Sequence, residues 1–162
     1  MENKPVNPEK DLEELMQMYG NKLFRLCLVT LGNASDAEDA VQETFIKYLQ
    51  KAPGFRDEEH RKAWLLTVAT NQCRDMLRFK KRHPVADMDE IKEFTNEKTE
   101  SGILDALMLL PEKYRVVLVL RYVEEYNVDA IAKMIGRTKS AVKMRLQKGR
   151  KLLEQVYRRE WM

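Results

Sequence analysis

The stretch VDAIAKMIGRTKSAVKMRLQ, residues 128–147, decides the fold of the C-terminal part of this chain. Its apolar residues that recur at helical spacing are Val128, Ile131, Ala132, Ile135, Val142 and Leu146. Gly136 separates the two groups, at a point where the backbone needs the positive φ that glycine adopts without steric cost. Thr138 is a suitable N-cap for the second group. The pattern predicts a helix-turn-helix.

The second helix of this unit has a polar face that also includes the turn. Its residues are Arg137, Thr138, Lys139, Ser140, Lys143, Met144, Gln147, Lys148 and Lys151. A helix-turn-helix presents such a face to the major groove of DNA, where cations contact phosphates and Ser, Gln or Met can contact base edges. The alternative is a helical hairpin with a solvated charged face. Ala132 and Gly136, at the two sterically demanding positions, favour DNA binding.

The composition of the whole chain predicts an all-α fold. Of 162 residues, 34% are charged and 44% apolar, with only 6 Gly and 5 Pro. Residues 1–60 carry 7 Lys/Arg against 12 Asp/Glu, whereas residues 101–162 carry 13 against 7. An acidic first part and a basic last part indicate two different partners, the second of them a polyanion such as DNA.

Helical periodicity divides the chain into two small helical domains, residues 10–83 and 101–160. The predicted helices cover residues 12–31, 35–50, 59–82, 101–110, 111–124, 128–135 and 138–157. Between the domains, residues 84–100 contain six Asp/Glu against two Lys, which predicts a flexible acidic linker. The linker composition predicts two domains that are loosely coupled in the free protein.

Capping residues and helix-breaking Gly and Pro determine the predicted helix ends. Gly32 ends the first helix, and Ser35 begins a capping box that Glu38 completes. Ala52-Pro-Gly54 ends the second helix, and Pro111 is expected as a first helical residue.

The third predicted helix has one polar side with an aromatic residue in it. That side consists of Trp64, Thr67, Asn71, Arg74, Asp75, Arg78 and Arg82, with Lys81 in the basic end. Leu65, Leu66, Val68, Ala69, Met76 and Phe79 are expected on the opposite, core-facing side. Such a polar face can stack on and bind single-stranded or melted DNA. The alternative, a core Trp64 and a solvated basic helix end, is at least as well supported by these residues alone.

The second predicted helix has an acidic face formed by Asp36, Asp39 and Glu43. Its core face comprises Ala37, Val41, Phe45 and Tyr48. Acidic residues near a helix N-terminus are commonly present because of the helix dipole, which accounts for Asp36 and Asp39 better than for Glu43. A docking surface for a basic partner is the other interpretation, and the residues alone do not choose between them.

Other classes of protein find little support in the sequence. His60 and His83 stand apart from each other, and no metal-ligand spacing, phosphate loop or nucleophile elbow occurs, so neither catalysis nor a metal or cofactor is expected. Cys27 and Cys73 are predicted to be buried reduced thiols, with a redox-sensing pair as the open alternative. No apolar run could span a membrane and the first residues do not resemble a signal peptide, so we expect a cytoplasmic protein.

Three segments together resemble the extracytoplasmic-function (ECF) group of the bacterial sigma-70 family of RNA polymerase sigma factors. They are Asp36-Ala-Glu-Asp-Ala-Val-Gln-Glu-Thr-Phe45, then Arg61-Lys-Ala-Trp-Leu-Leu66 with Asn71-Gln-Cys-Arg-Asp75, and Leu110-Pro-Glu-Lys-Tyr-Arg115 with the helix-turn-helix. The similarity extends from about residue 12 to about residue 158 in matching order and spacing. The basic turn Arg137-Thr-Lys-Ser140 and the pair Gln147-Lys148 depart from the usual family pattern.

The resemblance implies roles for the three surfaces. The second helix would bind the clamp of the largest polymerase subunit through Asp36, Asp39, Ala40, Gln42, Glu43 and Ile46. The third helix would melt and bind the −10 promoter element, and the helix-turn-helix would bind the −35 element. The resemblance also implies contact with the flap of the second polymerase subunit and regulation by an anti-sigma factor, often a membrane-bound one. A stand-alone helix-turn-helix regulator, which needs no polymerase, is the alternative function.

Overall fold

The computed structural model describes residues 8–80 and 103–161, so the predictions for Lys81, Arg82 and the linker 84–100 lie outside the described residues. All regular elements in the described part are helical. They are α1 (Pro8–Leu31), α2 (Ala34–Lys51), α3 (Glu58–Lys80), α4 (Ile103–Met108), α5 (Glu112–Leu118), a π-helical segment (Val119–Val123), α6 (Val128–Ile135) and α7 (Lys139–Trp161). The predicted all-α fold in two domains is confirmed.

Helices α1, α2 and α3 pack on one another as a three-helix N-terminal domain. Its core is formed by residues at the predicted helical spacing, among them Leu15, Leu23, Phe45, Tyr48 and Leu65. One expectation about this core was wrong. Phe79 is 76% exposed, because it lies beside the buried stripe of α3 rather than within it.

The cap of α2 differs from the predicted capping box. Asn33 is the N-cap, and its side-chain oxygen accepts a hydrogen bond of 2.9 Å from the backbone N–H of Asp36. Ser35 lies inside the helix instead. Asparagine and serine are equally good caps, so the choice depends on where the tight connection after Gly32, whose φ is +74°, allows the helix to begin.

The C-terminal domain contains α4 to α7. Pro111 is the N-cap of α5 and not its first helical residue, and the single helix predicted over residues 111–124 is divided at residue 119 by the π-helical segment. Five consecutive residues, 116–120, are buried, which one face of a regular α-helix does not provide. The wider π turn changes the direction of successive side chains within this buried stretch.

The two domains contact each other directly. The α3 helix packs against α6, and α1 packs against α5. Arg115 Nη2 donates a 2.8 Å hydrogen bond to the carbonyl oxygen of Thr30, and the ammonium group of Lys62 lies 3.8 Å from a carboxylate oxygen of Glu124. The predicted loose coupling does not agree with this arrangement, because linker composition carries no information about the surfaces at the two ends of a linker.

The two thiols are buried and free, as predicted. Cys27 on α1 and Cys73 on α3 both have no exposed surface. A hydrogen bond with Cys27, together with burial, raises the pKa of the Cys73 thiol well above its usual range. Both sulfurs therefore belong to the packing between α1 and α3.

Candidate nucleic-acid interface and docking surface

The helix-turn-helix is formed by α6 and α7, with the geometry that the sequence predicts. Gly136 has φ +66° and ψ +39°, the left-handed conformation that ends α6, and its N–H bonds to the carbonyl of Ala132. Thr138 Oγ1 accepts a 3.1 Å hydrogen bond from the N–H of Ala141, so it caps α7. Asn127 caps α6 in the same way, because its Oδ1 accepts a 2.8 Å hydrogen bond from the N–H of Ala130. Both helix starts and the turn are thus fixed by local hydrogen bonds.

A second glycine determines how closely α7 approaches α5. A Cβ at Gly149 would lie 3.3 Å from Leu118 Cδ1 and 3.4 Å from Tyr114 Cβ, tighter than ordinary van der Waals contact. Val142 and Leu146 are buried on the same side of α7. This seam fixes the rotation of α7 about its axis, and with it the direction of the opposite face.

The face that α7 and the turn present to solvent is the predicted DNA-binding face. Its predicted residues are all exposed: Arg137, Thr138, Lys139, Ser140, Lys143, Met144, Gln147, Lys148 and Lys151. Met144 is 70% exposed on this face. Lys139 pairs with Asp129 at 3.1 Å, and both side chains remain accessible.

The predicted −10 face of α3 is only partly accessible in this arrangement. Asn71, Asp75 and Arg78 are exposed, and Arg78 pairs with Asp75 at 3.7 Å. Thr67 Oγ1 donates a 2.8 Å hydrogen bond to the carbonyl oxygen of Ala63 on its own helix. Arg74 is half-buried and donates to the carbonyl oxygen of Ile135 in the other domain.

Trp64 belongs to an aromatic cluster rather than standing free for stacking on bases. Its ring contacts Tyr48 at 6.0 Å and Phe55 at 5.9 Å between centroids, and both contacts are edge-to-face. The Trp64 side chain is half-buried, so part of its surface remains at the domain surface. Most contacts of Trp64 are therefore those of a core residue, which was the alternative interpretation from the sequence.

A partly buried ionic network lies beside this cluster and was not predicted. Arg61 bonds to Asp11 at 3.2 Å, to the hydroxyl of Tyr48 at 3.4 Å, and to Glu58. Burial lowers the pKa of Arg61, but the bonds to Glu58 and Tyr48 outweigh it and raise the pKa above its ordinary value. Burial and the bond to Asp11 raise the pKa of Tyr48 to about 12. The network joins the three N-terminal helices and keeps Arg61 charged.

The acidic face of α2 is a mixed acidic and apolar surface. Asp39 and Gln42 are exposed and Glu43 is half-buried, while Ile46 and Leu49 are exposed by 44% and 47%. Asp36 is half-buried, and its backbone N–H is held by the N-cap. Ala40 has no exposed surface, so in this conformation it is a core residue beneath the face and not part of it.

Two residues with a place in these surfaces were missed by the sequence reasoning. Leu49 extends the apolar part of the α2 face, and its spacing of three from Ile46 is a signal that could have found it. Arg145 faces the N-terminal domain, where burial and the positive charges of Arg137 and Arg74 lower its pKa. No spacing within α7 indicates that neighbour, because it belongs to the other domain.

Comparison with known proteins assigns both domains. The family model described as Sigma-70 region 2 matches residues 15–83, and the one described as Sigma-70, region 4 matches residues 101–153. SigV of Bacillus subtilis, an RNA polymerase sigma factor, is 33% identical over 80% of this chain and 81% of its own length. The ECF RNA polymerase sigma factor SigW of the same species is 29% identical over 90% of this chain and 88% of its own length.

Solved structures show the same fold. The sigma factor RpoE from Bartonella quintana, solved in complex with the anti-sigma factor NepR, gives a TM-score of 0.72 at 20% identity, covering 93% of this chain and 99% of that one. CnrH, solved in complex with the cytosolic domain of CnrY, gives a TM-score of 0.68 at 21% identity. The match covers 94% of this chain and 90% of CnrH.

A helical region 2 followed by a region 4 with a helix-turn-helix defines a sigma factor, a class of transcription factor. This chain belongs to the ECF group of the sigma-70 family.

Proposed function

We propose that this chain binds core RNA polymerase through the α2 face and directs promoter-specific initiation through α3 and the helix-turn-helix. The observation that carries the proposal is the coexistence of two accessible surfaces of different chemistry. One is the acidic and apolar face of α2, and the other is the basic face of α7. A stand-alone regulator would need only the second.

The α2 face suits a basic partner with an apolar contact area. Asp39 and Glu43 supply charge that guides association, and Ile46 and Leu49 supply the apolar surface that stabilises the complex once formed. The helix dipole gives no reason for two exposed apolar side chains at this place. Together these features favour docking on the polymerase clamp over a simple dipole effect.

The helix-turn-helix is proposed to bind the −35 element, and α3 the −10 element. Lys143, Lys148 and Lys151 would contact phosphates, while Ser140 and Gln147 would reach base edges. On α3, Asn71 and Arg78 are exposed for the −10 element. Contact of the C-terminal domain with the polymerase flap and control by an anti-sigma factor are part of the same proposal. A complex with an anti-sigma factor has been solved for RpoE from Bartonella quintana.

The proposal includes a non-catalytic, cytoplasmic protein. The chemical step of initiation would be performed by the polymerase, and strand opening would use binding energy to offset the loss of base stacking. In the part of the chain that the structure describes, no helix is long and apolar enough to cross a membrane.

The test is run-off transcription with purified core polymerase on fragmented DNA from the source genome. Discrete transcripts that depend on this protein are expected, and their upstream sequences would give both promoter elements. Absence of transcripts with a folded, DNA-binding protein would favour the stand-alone regulator.

A double substitution separates polymerase docking from DNA binding. Asp39→Arg with Glu43→Arg is expected to abolish binding to core polymerase and transcription while leaving helicity and DNA binding unchanged. The matched control is Glu13→Arg with Glu14→Arg, which reverses two exposed charges on α1. Equal loss in both double variants, or retained polymerase binding in the first, would contradict the docking assignment.

A further inference from the structure

A cavity of about 280 Å³ lies between the two domains, beside the contact of α3 with α6. Its charged lining residues are Arg74, Arg78, Lys113, Arg137, Arg145 and the single acidic residue Glu112. The first two come from the N-terminal domain and the others from the C-terminal domain. The contact between the domains therefore brings two cations of the N-terminal domain together with three of the C-terminal domain.

The positive charge of this lining is poorly compensated within the described residues. Arg78 pairs with Asp75 on its own helix, but both side chains are well exposed at 72% and 64%. Among the described residues no ion pair joins Arg137 or Arg145 to a carboxylate. Burial and the charges of Arg137 and Arg74 lower the pKa of Arg145, which is the expected sign for crowded like charges.

Like charges this close destabilise the arrangement that gathers them, unless an anion joins them. Four of the five groups are guanidinium forks, which match the paired oxygens of a phosphate. Arg74 uses Nη1 for the carbonyl of Ile135, and a guanidinium has further donors. A cavity of this volume lies at the small end of ligand sites and suits a small anion.

We propose that this cavity binds a small phosphate-bearing anion, of the size of a diphosphate or a mononucleotide. A single carboxylate would neutralise one of the five cations, whereas a diphosphate carries several negative charges in one compact group. Because both domains line the cavity, the bound anion would also hold the two domains together. The inference concerns the free chain and is independent of polymerase binding.

The test measures binding of inorganic pyrophosphate and of a nucleoside diphosphate to the full chain by titration calorimetry. One saturable site is expected, with affinity falling as salt rises. Arg145→Gln and Lys113→Gln are each expected to weaken binding about tenfold or more, because each removes a charged donor. Neither residue lies on the predicted promoter-binding faces.

Arg158→Gln is the matched control, since Arg158 is an exposed arginine of the same helix that pairs with Glu154 outside the cavity. It is expected to bind pyrophosphate as the wild type does. Arg145→Lys keeps the positive charge but removes the guanidinium fork, so an intermediate loss of pyrophosphate affinity is expected. This second variant keeps the test valid if Arg145→Gln does not fold. Pyrophosphate should also raise the unfolding temperature of the wild type and the control, and should raise that of Arg145→Gln by less at the same pyrophosphate concentration.

Binding of pyrophosphate alone would assign a free phosphate ligand, and preference for the nucleoside diphosphate would assign a nucleotide. Absence of saturable binding, or equal loss in Arg145→Gln and Arg158→Gln, would overturn the proposal. A glutamate-rich peptide that binds in an Arg145-dependent way while pyrophosphate does not would also overturn it, because the cavity would then serve a protein partner.

Discussion

Arg74 Nη1 donates a 2.6 Å hydrogen bond to the carbonyl oxygen of Ile135, which joins the N-terminal domain to the first helix of the helix-turn-helix. The acceptor lies at the C-terminus of α6, where carbonyls without helical partners and the helix dipole both favour a cation. Since the sequence assigns Arg74 to the −10 face, domain closure and DNA contact by this side chain exclude each other.

The first prediction concerns this bond. Arg74→Ala is expected to shift the free chain toward separated domains, because a hydrogen bond from a charged donor is worth about 1.5–3 kcal/mol. Distances between spin labels on α2 and α7 would measure the change. Arg78→Ala, one turn further along α3, removes an exposed side chain whose ion pair is with Asp75 on its own helix, so it should not shift the chain toward separated domains. Equal effects of both substitutions would contradict the assigned role.

Two glycines should respond to alanine with opposite signs. Gly136→Ala is expected to lower the free energy of unfolding by about 1 kcal/mol, because φ is +66° there. Gly20→Ala is expected to raise it by up to about 1 kcal/mol, since Gly20 lies inside α1 and a Cβ would meet nothing within 4 Å. Urea denaturation would measure both, and a shared sign would refute the argument.

The salt dependence of DNA binding tests the recognition helix. Lys143→Ala is expected to weaken binding to a −35 duplex and to reduce the slope of log K against log salt by about 1, because one phosphate contact is lost. Lys22→Ala removes an exposed lysine from α1, far from the recognition helix in sequence, and should change neither quantity. An unchanged slope for Lys143→Ala would remove this residue from the phosphate contacts.

Stability should fall at high pH because of the network around Arg61. The folded chain holds the pKa of Tyr48 near 12, above the ordinary value of 10.0, so the unfolded chain loses this proton first. The stabilisation is therefore present below pH 10 and is lost as pH rises toward 12. Tyr48→Phe should show a smaller fall across this window in pH-dependent urea denaturation. A fall as steep as that of the wild type would assign it to other groups.

The sequence predicted those features that depend on local patterns. The helix-turn-helix, its left-handed Gly136 and the Thr138 cap agree with the structure because each depends on neighbours within a few residues. The same is true of the buried stripe in α2. Local rules failed where two solutions were nearly equal, as with Asn33 and Ser35 at the start of α2, and where one helix changed to π geometry.

Contacts between distant residues could not be predicted in this way. The aromatic partners of Trp64, the ionic partners of Arg61 and the carbonyl bound by Arg74 come from other helices. An arginine has the same appearance in a sequence whether it meets DNA, a carboxylate or a helix end. The residues of each candidate surface were therefore predictable as a group, but the contacts that the individual side chains make in the structure were not.

The π-helical segment Val119–Val123 is a place where this chain tolerates the gain or loss of one residue over evolution. A π turn contains one residue more than an α turn, so it absorbs a single insertion locally and leaves the phase of the flanking helices unchanged. Deleting one residue here would restore a regular α-helix. A deletion in the middle of α7 would instead rotate everything after it by about 100° about the helix axis and misdirect its C-terminal half.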